Sequence, residues 1–215
     1  KALHLYNRYH MSQIKSIISK ILSYGTFSAI SIFAIFLLHL VAARYLGVDD
    51  FGRFSFAIAF VTLLAPILDP GLYYLLIRDV ARKLDLANRF LSHSLTWKVL
   101  CSPLFFGIIY ILVHWMNKTP QTLSIVYLMA IAQILLSLKD SFRSTLIAYE
   151  LFNLDALSLA IERFSLLIFV TLALTVSDQL IVIGWTFVIV RIIDLAIIAI
   201  IVQSKVCNIS LGLDF

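Results

Sequence analysis

Several ionisable residues stand inside long apolar runs of this chain, where a charge is costly and so marks either a partner or a function. Lys139, Asp140 and Arg143 lie in one such run, Glu162 and Arg163 in the next, and Arg191 and Asp194 in the last. On a helix, Asp140 and Arg143 are three apart and Lys139 and Arg143 four apart, so they share roughly one face. Arg191 and Asp194 repeat the three-residue spacing. Glu162 and Arg163 are adjacent, point about 100° apart, and are each expected to pair with a different helix. Asp69 stands between Pro66 and Pro70. Two chemistries fit these groups. They are salt bridges that hold helices together, or they line a wet cavity. Lys139, Arg143, Arg163 and Arg191 outnumber Asp140, Glu162 and Asp194, which favours a basic cavity for an anionic headgroup such as a diphosphate, gripped by paired arginine hydrogen bonds. Lys139 and Arg143 have the further option of snorkelling to lipid headgroups. The prolines either simply kink their helix, or let it bend between two transport states while Asp69 changes protonation.

Nothing else in the sequence carries chemistry. There is no HExxH, GxSxG or Walker loop and no CxxC pair, and the five histidines lack ligand spacing, so no catalytic residue, metal or cofactor is expected. Cys101 and Cys207 are not expected to pair. Asn117-Lys-Thr119 fits a glycosylation sequon by chance, in a turn too close to a membrane to be modified.

The elements that position the charges follow from composition. Of 215 residues, 61% are hydrophobic and 13% charged, with a mean hydropathy of +0.99. Soluble domains run about 45–50% apolar and about 25% charged. A soluble enzyme, a disulfide-built secreted domain and a disordered segment are therefore excluded. At ~20 residues per crossing, the chain reads as an all-α polytopic membrane protein, a bundle of six helices near residues 21–46, 51–77, 94–115, 123–147, 154–176 and 180–202. The second is broken at Pro66 to Gly71. Residues 78–92 are expected to form an amphipathic surface helix, with Val80, Leu84, Leu86 and Phe90 set among basic residues. Residues 1–20 form an N-terminal segment in which Met11 looks like a natural start and 1–10 like upstream sequence. Residues 21–203 form the membrane lobe, and 204–215 a tail or the start of a linker.

The net charge of +5 is placed by the loops. Segments 1–21, 78–92, 149–155 and 204–215 hold nine Lys or Arg, whereas segments 47–52, 117–121 and 177–179 hold only Lys118, with Arg44 and Arg53 at the helix edges. Surplus basic residues mark cytoplasmic loops, so both termini are expected in the cytoplasm and no nucleic-acid partner is implied. The longest loop has about 15 residues, too little to assemble an interfacial enzyme site.

The stretch Ala42-Ala-Arg-Tyr-Leu-Gly-Val-Asp-Asp-Phe-Gly-Arg-Phe-Ser-Phe-Ala57 resembles the junction between the first two helices of bacterial polysaccharide flippases. Asp69-Pro-Gly-Leu72 and Ile77-Arg-Asp-Val-Ala-Arg82 resemble the motifs that follow it, and Phe142-Arg143 and Glu162-Arg163 match weaker features further on. The resemblance is to the O-antigen and polysaccharide exporters of the multidrug/oligosaccharidyl-lipid/polysaccharide flippase superfamily, over about residues 15–203. It implies a two-lobed transporter of 12 to 14 helices in a bacterial or archaeal plasma membrane. The implied activity is moving an undecaprenyl-diphosphate-linked oligosaccharide to the outer leaflet by alternating access. Arg143, Arg163 and Arg191 are then the candidate headgroup contacts, with Lys139 beside them, and Arg44 and Arg53 are structural or gating residues near the external face. Only one lobe is present, so the implied partners are membrane lipids, a missing second lobe or second copy, and polymerase and glycosyltransferase enzymes. A cation-coupled drug exporter of the same superfamily and a non-transporting subunit of a polysaccharide assembly complex are the alternatives.

Overall fold

The computed structural model describes residues 2–177 and 179–205, with side chains described between Gly25 and Ser204. Most of the expected tail 204–215, and the side chains of the expected N-terminal segment 1–20, lie outside the described residues. Six α-helices follow in order: α1 (Ala2–Leu64), α2 (Leu72–Arg82), α3 (Ala87–Trp115), α4 (Pro120–Ala148), α5 (Phe152–Val176) and α6 (Leu180–Lys205). Among the described residues, five stretches are long and apolar enough to cross a membrane: Gly25–Ile67, Leu84–Trp115, Pro120–Ala148, Phe152–Val176 and Leu180–Ser204. The chain is a multi-pass, all-helical membrane protein.

The first stretch runs through both of the helices expected at residues 21–46 and 51–77. Its 43 residues would measure about 65 Å if straight, roughly twice the hydrocarbon thickness of a bilayer. It is not straight. Gly47 has φ 70° and ψ 176°, a conformation open essentially to glycine alone. The His39 and Phe54 rings lie 6.2 Å apart, whereas a straight helix would separate them by about 22 Å. The backbone therefore doubles back at Gly47, and Leu38, Ala42, Phe54, Ala57 and Val61 bury themselves in one shared core.

The proline break also takes a defined form. Pro66 opens a short 3-10 turn over Ala65–Ile67, and Gly71, at φ 95°, turns the chain into α2. The polar stretch expected as a single surface helix divides between α2, the 3-10 turn Leu84–Leu86 and the start of α3. Its apolar residues explain the split. Val80, Ala87 and Leu91 are buried against Leu146, Ile198 and Val202, while Leu84 and Leu86 remain exposed. Tertiary burial thus draws the ends of α2 and α3 into the bundle, and α3 starts several residues earlier than its hydropathy suggests.

Helix α4 is central and touches α1, α2, α3, α5 and α6, while α5 packs chiefly against α1 and α6. At Gly184 a Cβ would lie 2.6 Å from Leu128 Cδ1 and 3.0 Å from Ile125 Cδ1. The absent side chain lets α6 approach α4 closely, as small residues do between membrane helices. The core has two apolar clusters, one around Phe54, Phe105, Ile125, Leu166 and Phe187 and one around Leu76, Leu91, Phe142, Leu146 and Ile198. Between them, along α3, α4, α5 and α6, lies a buried polar layer of Ser94, Lys98, Ser137, Lys139, Ser158, Glu162, Arg191 and Asp194.

Candidate functional site

The polar layer is built by helical spacing on α4 and completed from its neighbours. Lys139 Nζ donates to Glu162 Oε2 on α5 at 2.6 Å, both side chains being 1% exposed. Glu162 Oε1 accepts from Arg191 Nη1 on α6, and Arg163 Nη1 stands 3.7 Å from the same oxygen. One carboxylate thus serves three cations. One turn further along α4, Arg143 donates from Nε to Asp155 Oδ1 at 2.7 Å and from Nη2 to Asp155 Oδ2 at 3.1 Å. Its Nη1 reaches Asp140 Oδ1 at 3.1 Å. This fork is the geometry in which Arg binds a carboxylate most strongly.

A second assembly secures the break in the chain. Lys98, 1% exposed, donates to Asp69 Oδ2 at 2.9 Å and to the Ser137 carbonyl at 2.7 Å. The other Asp69 oxygen accepts the Tyr73 amide at 3.1 Å, at the start of α2. Lys98 therefore joins the broken segment, α3 and α4 at one nitrogen.

Several expectations change here. The three-residue pair Arg191 and Asp194 is not an ion pair, because Arg191 turns to Glu162 and Asp194 Oδ2 has no hydrogen-bond partner. Glu162 does join other helices, as its position beside Arg163 suggested, but Arg163 keeps to Glu162 alone among the described ion pairs. The basic surplus also disappears. Lys98, Lys139, Arg143, Arg163 and Arg191 face Asp69, Asp140, Asp155, Glu162 and Asp194, an equal number of each sign. The surplus comes from leaving Asp69 out of the count and placing Asp155 in a loop, and Lys98, also left out, offsets one of these two acids. Asp155 stands in the first turn of α5, fully buried. A lone lysine in an apolar run was the available signal for Lys98, and an acid at a helix start was that for Asp155.

Arg163 and Arg191 reach past the ion pairs into a pocket of about 170 Å³. Its polar wall is His39, Thr62, Gln133, Arg163 and Arg191, and its apolar wall includes Leu38, Val61, Leu166 and Phe187. His39 Nδ1 lies 2.9 Å from the Ile35 carbonyl, an acceptor only, so this nitrogen carries the proton. Arg191 Nε is buried and has no partner, and among the described ion pairs Arg163 has its long contact to Glu162 alone. Arg163 and Arg191 give the pocket wall two positive charges and no carboxylate, which suits an anion. Nothing in the sequence marks His39, Thr62 or Gln133, because only the doubled-back α1 brings His39 and Thr62 to α4.

The remaining candidates lie elsewhere. Arg44 is exposed on α1. Arg53 donates to Asp50 Oδ1 at 2.7 Å and to Gln121 Oε1, tying the bend to the start of α4. Pro66 and Pro70 are exposed at the break. No curated protein and no solved structure matches the chain. A family model described as polysaccharide biosynthesis protein matches residues 14–210. With that match over nearly its whole length, the chain belongs to the polysaccharide biosynthesis protein family.

Proposed function

We propose that the chain is one lobe of a flippase that carries a lipid-linked oligosaccharide across the plasma membrane of a bacterium or archaeon. The cargo is an undecaprenyl-diphosphate-linked repeat unit of O-antigen or a related polysaccharide, moved from the cytoplasmic to the external leaflet by alternating access. The work is binding and movement, with no bond made or broken. The observation that carries this function is the pair of under-used guanidiniums, Arg163 and Arg191, on the wall of a membrane pocket in a polysaccharide-synthesis family. Lys139 and Arg143 stand outside the pocket lining and, engaged by Glu162, Asp140 and Asp155, tie α4 to α5.

Six crossings are supported by the reversal at Gly47, which divides the first stretch into two. An even number places both ends on one side, in agreement with the basic loops. A second lobe, or a second copy of the chain, supplies the opposite wall of the pathway, and polymerase and glycosyltransferase enzymes handle the cargo before and after it. A non-transporting assembly subunit is the alternative, favoured by how fully Arg143 and Lys139 are paired.

Replacing both Arg163 and Arg191 by Gln in cells that depend on this protein for glycan export separates the two. Export falls at least tenfold with the protein still present in the membrane if the pocket grips the headgroup. Undiminished export from the double variant overturns the assignment.

A further inference from the structure

Asp194 differs from every other carboxylate of the polar layer. Asp69, Asp140, Asp155 and Glu162 each have a lysine or arginine nitrogen within 3.1 Å. Asp194 has no ion pair among the described residues, its Oδ2 has no hydrogen-bond partner, and the residue is only 3% exposed. The charges acting on it come from two neighbouring helices and its own: Lys139 on α4, Glu162 and Arg163 on α5, and Arg191 on α6. Lys139 and Arg191 are both committed to Glu162. An ionised carboxylate buried without water or a partner is costly enough that such groups neutralise instead. A metal cation would meet three positive side chains, whereas a proton adds to the carboxyl alone.

We propose that Asp194 is a proton-binding site coupled to the anion pocket: it holds a proton while Arg191 faces the pocket, and on losing the proton it draws Arg191 toward itself. The step balances simply, a carboxylic acid giving its proton to water and leaving a carboxylate for the guanidinium one helical turn away. Arg191 cannot serve both an anion in the pocket and an ionised Asp194 in full. Loss of the proton therefore weakens anion binding, and by linkage a bound anion strengthens proton binding. This rests on the proposed role of Arg163 and Arg191 as the anion site.

The test uses the purified chain in nanodiscs of phosphatidylethanolamine and phosphatidylglycerol, with inorganic pyrophosphate as the probe. Affinity is measured from pH 5.5 to 9 for the wild type and for Asp194→Asn, and their ratio at each pH cancels the ionisation of pyrophosphate itself. The ratio is expected near one at the acid end, with the wild type weaker by about tenfold at the alkaline end, a coupling of ordinary size. A ratio constant with pH overturns the coupling. Infrared difference spectra test the proton separately. A carboxylic-acid C=O band present at neutral pH and lost in Asp194→Asn upholds the site, and its absence from the wild type overturns it. Failure of both proteins to bind pyrophosphate at any pH overturns the anion pocket and the coupling with it, while the infrared result still decides whether Asp194 holds a proton. Asp194→Ser serves the same comparisons if the Asn variant does not assemble.

Discussion

Arg143 on α4 holds both oxygens of Asp155 on α5, at 2.7 and 3.1 Å, with Asp155 wholly buried. Removing one member of such a pair leaves an uncompensated charge in a dry setting. Asp155→Ala is therefore expected to lower stability by about 3–5 kcal/mol, read as a large drop in the thermal midpoint of the protein in detergent. The double change Arg143→Leu with Asp155→Leu is expected to recover much of that loss, because no charge is stranded. A double variant as unstable as Asp155→Ala would show that the pair is not the source of the effect.

Lys98 is the knot between the broken segment and two helices. Lys98→Met removes the donor to Asp69 and to the Ser137 carbonyl, at a cost of about 1–3 kcal/mol. The local signature is the more telling one. Amide exchange at Tyr73, whose N–H is held by Asp69, is expected to accelerate in Lys98→Met beyond amides of similar depth in α5. Equal protection in the two proteins would mean that the break keeps its form without Lys98.

Gly47 sits where a side chain is strained whatever space surrounds it. Gly47→Ala is expected to cost about 1–3 kcal/mol, whereas Gly52→Ala, on the helix just beyond with ordinary dihedrals, is expected to be nearly silent. Thermal midpoints of the two variants side by side make the comparison, and equal midpoints would deny Gly47 its role in the reversal.

The proposed six crossings place the bend and the α2–α3 turn on opposite sides of the membrane. Single cysteines at Val48 and Arg82, both exposed, in a protein lacking Cys101 and Cys207, report this directly. An impermeant thiol reagent added to intact cells is expected to label Val48→Cys, and to label Arg82→Cys only after the membrane is opened. Labelling of both from outside would place an odd number of crossings between the N-terminus and Arg82.

What was legible in the sequence was local. The apolar runs of α4, α5 and α6 lie close to their expected bounds, since each is a single hydropathic block closed by Pro120, the 149–151 turn or Ser177. The interior charges on these helices were equally visible, because a charge in a 20-residue apolar run is conspicuous. Their partners were not. Arg191 was expected beside Asp194 on helical spacing, yet Glu162, 29 residues earlier, captures it, a choice made by how α5 and α6 pack. His39 gained its place in the pocket from the same source, since nothing within α1 says which helix will face it. Asp155 was misassigned by a helix boundary, where hydropathy is least exact.

The buried polar layer also constrains how the protein is made. A charge at the centre of a membrane helix costs about 2.5–3.5 kcal/mol on insertion, and α4 carries Lys139 and Arg143 into the bilayer before their partners on α5 exist. Asp155 and Glu162 follow 12 and 23 residues later in the chain, and Arg191 arrives last. Between those moments the growing polypeptide holds a half-compensated helix that only the next segment can neutralise. Synthesis halted after α4 would leave Lys139 and Arg143 without the carboxylates of α5 that pair them. The order of the helices along the chain is thus also the order in which the charges of α4 find their partners.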